Sequence, residues 1–117
     1  DDPNFRVVLI HHPLQSKSSY KRLTDADALI ALLKRHRVDL VLHGHDHIHS
    51  TMWFEGPHGR VPAIGVPSAS AVAHGHTPAA AYNLFSITRD GDIWRCEQRV
   101  RGFVGDKIAD VRNVRVI

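Results

Sequence analysis

The chain has 117 residues, of which 43% are hydrophobic and 23% charged, and its formal net charge is +3. This length supports one hydrophobic core, no apolar run approaches the roughly 20 residues of a membrane span, and the mild, dispersed charge does not indicate nucleic-acid binding. A single cysteine excludes an internal disulfide and fits a cytoplasmic location.

The first half of the chain predicts a strand, a helix and a second strand. Residues 6–10 (RVVLI) are typical of a buried strand, which ends at His11, His12 and Pro13. After a polar loop at 15–21, Thr24 is a typical N-cap, and apolar residues at i, i+3, i+4 and i+7 predict a helix over 24–36. Residues 40–43 form the next buried strand, which stops at Gly44. Such a right-handed crossover has parallel strands, so the histidines at both carboxyl ends should meet at one edge of the sheet.

The second half predicts short strands joined by glycine-containing turns. The runs 51–54, 60–66, 82–89 and 92–100 are strand-like, residues 67–81 form a long loop, and both Gly-Asp pairs, at 91–92 and 105–106, are interpreted as turns. Alternation places Cys96 on the same face as Trp94 and Val100, which favours a core thiol over a reactive one. Beyond Phe103 the pattern leaves open an edge strand or a loose tail.

The residues His11-His12-Pro13, a helix and then Gly44-His45-Asp46-His47 resemble the calcineurin-like metallophosphoesterases, and most closely their cyclic-nucleotide-phosphodiesterase-like branch. The resemblance implies an α/β fold in which residues 1–117 are a partial domain, the carboxyl-terminal half of a four-layer α/β/β/α sandwich. It also implies that His11, His45 and His47 are metal ligands. The expected cofactors are two transition-metal ions, Fe, Mn or Zn, because imidazole nitrogen suits these ions better than Mg or Ca.

Other residues near these motifs are candidates for supporting the ligands or facing the substrate: His12, Gly44, Asp46 and His49. Gly44 is expected to permit a close backbone approach that a side chain would block. A structural role is favoured for His43. The roles of His74 and His76, in the long loop, stay open.

The implied function is hydrolysis of a small-molecule phosphoester, more specifically a phosphodiester, by a metal-activated hydroxide. The family's D-x-H, G-D and G-N-H-D/E signatures do not precede His11. The catalytic histidine and the bridging aspartate are therefore expected in a missing amino-terminal half, and the isolated chain is expected to be inactive. The missing half or other copies of the chain would be its partners. Two alternatives remain: a non-catalytic metal-binding or partner-binding module, or a chain that another subunit completes.

Overall fold

The computed structural model describes residues 4–14 and 24–117. Its elements in chain order are β1 (Val7–Leu9), α1 (Ala26–Arg35), β2 (Leu40–His43), β3 (Ser50–Gly56), β4 (Gly59–Gly65), β5 (Ala81–Asp90), β6 (Ile93–Val104) and β7 (Lys107–Arg115). The polar loop expected at 15–21 lies outside the described residues. Among the described residues, no helix is long and apolar enough to cross a membrane.

The first sheet contains the crossover that the sequence predicts. Its strand order is β1-β2-β4-β3, with β2 parallel to both β1 and β4, and β3 antiparallel to β4. Val8 pairs with Val41 between β1 and β2. Because three strands run in one direction, their carboxyl ends lie at one edge of the sheet and their amino ends at the other.

The helix is shorter than the sequence indicates. Asp25, rather than Thr24, occupies the N-cap and makes no side-chain capping hydrogen bond, so the predicted N-cap is wrong by one residue. Asp27 lies in the first turn, and Lys34 and Arg35 lie in the last, where their charges complement the helix dipole as expected. Leu33 is buried on the face that packs against the sheet.

The second sheet is antiparallel, in the order β5-β6-β7. Both Gly-Asp pairs lie at its turns, and Gly91 and Gly105 adopt φ angles of 61° and 66°, as tight hairpins require. The chain beyond Phe103 is a nine-residue edge strand and not a loose tail. Cys96 is fully buried, which confirms its prediction as a core thiol.

Two apolar clusters hold the layers together, one on each face of the first sheet. The helix-side cluster includes Leu33, Val41 and Ala63. The cluster on the other face joins the two sheets through Leu40, Ile64, Cys96 and Val116. The described residues thus form an α/β/β arrangement, which confirms the mixed α/β prediction.

Candidate metal site at the carboxyl ends of the parallel strands

Two loops that follow parallel strands form this site, and backbone hydrogen bonds hold them together. The Ile10 N–H donates to the Leu42 carbonyl at 3.0 Å, and the Gly44 N–H donates to the His11 carbonyl at 3.1 Å. These bonds continue the ladder between β1 and β2 past the ends of the strands. The residues after Leu9 and His43 are therefore fixed side by side.

Three imidazoles meet at this edge. His11, His12 and His45 each offer a ring nitrogen, and these nitrogens lie within 4.8 Å of one another. The shortest described separation is 3.1 Å, between His11 Nε2 and His45 Nδ1. The rings of His12 and His45 lie 4.4 Å apart between centroids. His11 is exposed, whereas the other two are half-buried. We call these three residues the histidine cluster.

The cluster differs from the ligand set that the sequence motif implies. His11 and His45 are brought together as expected, His12 joins them, and His47 lies outside the group. The reason is the backbone, because His45 and His47 have φ angles of 71° and 57°. Side chains two residues apart share a side only in extended backbone. His47 as a ligand therefore stays a prediction.

The other candidates lie around the cluster with different surroundings. Asp46 has a buried carboxylate oxygen, Oδ1, with no hydrogen-bond partner among the described residues, and its N–H donates to the Gly44 carbonyl at 2.9 Å. A Cβ on Gly44 would meet no atom within 4 Å, so no described residue requires a glycine there, and its role beside a metal or substrate stays a prediction. His43 is buried and packs beneath the edge. His74 and His76 are exposed.

Arg112, whose charge acts on His49, is a residue that the sequence did not single out. Desolvation, followed by the positive charge of Arg112, lowers the pKa of His49 below its ordinary value. Arg112 belongs to β7, the segment whose pattern was too weak to assign. Recognising this strand would have placed a guanidinium near the residues that follow β2, and guanidinium groups suit phosphate oxygens.

The donor chemistry of the cluster, and the spacing of one of its nitrogen pairs, fit a transition-metal ion. Two nitrogens held 2.0–2.1 Å from one ion lie roughly 2.9–3.4 Å apart, and the His11–His45 separation of 3.1 Å falls within this range. Within residues 4–14 and 24–117, no carboxylate joins the group. Three imidazoles suit one ion with an open position, whereas a second ion would need further ligands.

Comparisons with known proteins identify one family and one fold to which the chain is similar. Residues 1–49 match the calcineurin-like phosphoesterase family model. No curated protein matches the chain. Two crystal structures of Vps29 from Entamoeba histolytica, a single mutant and a double mutant, are similar at 18% identity, with TM-scores of 0.54 and 0.53. Each comparison covers 80% of this chain and 48% of the Vps29 chain, so the chain spans about half the length of these structures. The family-model match is confined to residues 1–49, which contain the histidine cluster and the Gly44-His45-Asp46-His47 motif, and the chain is similar in fold to these Vps29 structures.

Proposed function

We propose that this chain is the carboxyl-terminal half of a metal-dependent phosphodiester hydrolase, a partial domain of residues 1–117 acting in the cytoplasm on a small-molecule phosphoester. The observation that carries the proposal is the histidine cluster, in which the ring nitrogens lie within 4.8 Å of one another at the carboxyl edge of a parallel sheet. The family-model match over residues 1–49 supports the same reaction class.

The chain's own residues would bind the metal and orient the substrate. When bound, a transition-metal ion polarises a phosphoryl oxygen and lowers the pKa of a coordinated water. His11, His12 and His45 would hold that ion. Arg112 would attract the phosphate, since its positive charge already acts on His49. The buried Oδ1 of Asp46 would accept a hydrogen bond from a ligand of the ion and fix its orientation.

A dinuclear centre needs more than the described residues supply. We propose that His47 and carboxylates from an amino-terminal half complete it with a second ion, Fe, Mn or Zn, and that this half also supplies the catalytic histidine. The isolated chain then binds metal with little or no hydrolysis. A protein that contains both halves would hydrolyse phosphodiesters.

The test measures hydrolysis of bis(p-nitrophenyl) phosphate by a protein that joins this chain to its amino-terminal half, supplied with Mn²⁺, Fe²⁺ or Zn²⁺. We expect His45→Ala to abolish turnover and His76→Ala, in the exposed loop, to leave it unchanged. Turnover that survives both His11→Ala and His45→Ala would overturn the proposal. Far-UV circular dichroism of each variant establishes that the fold is retained.

A second function is a non-catalytic metal-binding or partner-binding module, or a chain that another subunit completes. The observation that favours it is a set of exposed apolar side chains on the outer face of the second sheet, interspersed with ion-paired arginines: Tyr82, Leu84, Phe103 and Ile108. Exposed apolar patches often mark interfaces. Metal binding without hydrolysis in the joined protein, together with a stable oligomer in sedimentation experiments, would favour this function over the first.

A further inference from the structure

A cavity of about 500 Å³ lies at the opposite edge of the first sheet from the histidine cluster. Its lining includes Asn4 before β1, Asp39 before β2 and Gly59 at the start of β4. These positions are the amino ends of the three parallel strands, whereas His11 and His45 follow the carboxyl ends of β1 and β2. The four residues of β2 alone separate the two edges by roughly 13 Å. The cavity is therefore a separate feature from the candidate metal site.

The lining combines an apolar wall with charged groups. Val61, Ile93 and Trp94 supply apolar surface, and the charged and titratable members are Arg37, Asp39, His58, Arg60 and Asp92. The volume falls within the range of roughly 300–1,000 Å³ that small-molecule sites occupy. A few charged groups that converge on an apolar wall are typical of sites that orient a ligand by one polar end.

Contacts with neighbouring residues fix both the apolar wall and one guanidinium. The Trp94 ring meets the edge of Phe5 at 5.5 Å between centroids, and the Arg89 guanidinium lies over it at 5.0 Å. The Arg60 guanidinium lies 4.5 Å from the centre of the Trp53 ring. Stacked guanidinium groups lose less freedom on binding a ligand than mobile side chains do. The wall and the cation are thus arranged before any ligand arrives.

The lining carries two guanidinium groups and two carboxylates, so the hydrogen-bond donors that are still available, and not the net charge, indicate the kind of ligand. Neither Arg37 nor Arg60 forms an ion pair with an acidic side chain among the described residues. Asp39, in contrast, is already engaged, because its carboxylate accepts the Arg6 backbone N–H at 2.8 Å. The donors of these two guanidinium groups are therefore available to a ligand, whereas the Asp39 carboxylate already has a hydrogen-bond partner. Guanidinium groups bind carboxylate and sulfonate oxygens through paired hydrogen bonds.

We propose that this cavity binds a small organic anion with a flat apolar body, such as an aromatic carboxylate. The ring of the ligand packs against Trp94 and Ile93, and its carboxylate pairs with Arg37 and Arg60. The site does not depend on metal at the histidine cluster. It therefore stands or falls separately from the proposed hydrolase function.

The test is calorimetric titration of the purified chain with 2-naphthoate and with its neutral analogue 2-naphthalenemethanol. We expect naphthoate to bind with a Kd of about 0.1–1 mM, the range for a ligand of this size, and about tenfold more tightly than the alcohol. The double variant Arg37→Gln, Arg60→Gln should lose this preference for the anion. Lys107→Gln, which removes one positive charge at the distant β6–β7 turn, should keep it.

A second variant separates the apolar wall from the charges. Trp94→Leu should weaken both probes by a similar factor, with circular dichroism establishing that the second sheet still forms. The proposal is overturned if naphthoate binds no more tightly than the neutral alcohol, or if the double arginine variant binds naphthoate as the unaltered chain does.

Discussion

Replacing single histidines distinguishes the ligand set of the structure from that of the sequence motif. The structure brings together His11, His12 and His45, whereas the motif implies His47 in place of His12. His12→Ala and His47→Ala each remove one imidazole from a loop at the same edge of the sheet. The structure predicts that His12→Ala weakens metal binding by the isolated chain and that His47→Ala does not.

The magnitude follows from the share of binding free energy that one ligand supplies. Four-ligand structural zinc sites are worth roughly 10–16 kcal/mol, or about 2.5–4 kcal/mol per ligand. Loss of one imidazole should therefore raise the Kd for Zn²⁺ about 10²- to 10³-fold. His12 should approach the full effect, because its ring centroid lies 4.4 Å from that of His45.

Zn²⁺ affinity is measured at neutral pH by competition with a chromophoric chelator, and Co²⁺ substitution reports the ligand field through its visible absorption. His58→Ala, which removes an exposed imidazole at the opposite edge, is the control. If His47→Ala weakens binding by more than tenfold while His12→Ala leaves it unchanged, the rings follow the motif in solution and the arrangement described above is refuted.

Three further predictions concern the core. Desolvation by burial, and secondarily the charge of Glu97, raises the pKa of the Cys96 thiol from 9.0 to about 11. The unfolded chain therefore releases this proton first, so the free energy of unfolding should fall by roughly 2–3 kcal/mol as the pH rises from 9 through 11. Urea denaturation at a series of pH values should show this fall for the unaltered chain and not for Cys96→Ala. A Cβ at Gly65 would lie 2.7 Å from a ring carbon of His43, the buried imidazole on β2, so Gly65→Ala should lower the free energy of unfolding by roughly 1–3 kcal/mol. Gly44→Ala, where a Cβ has open space, should lower it by less than about 1 kcal/mol. Leu33→Ala should lower the free energy of unfolding by about 2–5 kcal/mol and the adjacent, exposed Leu32→Ala by much less; equal costs would contradict the packing of α1.

The crossover unit could be predicted because its signals are local and strong. A β-branched run leads to Pro13, a periodic apolar face marks the helix, and a second apolar run ends at Gly44. Topology then requires both strands to end at the same edge, and this rule alone brings His11 and His45 together without any information on side chains. That part of the site follows from pattern and chain direction.

Structural features that depend on residues far apart in the sequence could not be predicted from local sequence patterns. β7 carries charged residues along much of its length, so its sequence lacks the alternation that marks a half-buried strand. Only its pairing with β6 identifies it as a strand. Arg112 was missed for this reason. The cavity was missed because residues as far apart as Arg37 and Trp94 line it, and only the packing of the two sheets brings them together.

The position of His47 outside the histidine cluster has a conformational cause that residue types alone do not reveal. His45 and His47 both have left-handed backbone angles. For residues other than glycine, this conformation costs on the order of 1 kcal/mol or more per residue. In this backbone the two rings no longer share a side, so the motif delivers one imidazole to the cluster, and the adjacent pair at the end of β1 supplies the other two. Strain of this kind persists only where the surrounding structure imposes it, and it concentrates at functional sites. The left-handed angles of His45 and His47 occur beside the candidate metal site, which is where this tendency predicts them if the loop is functional.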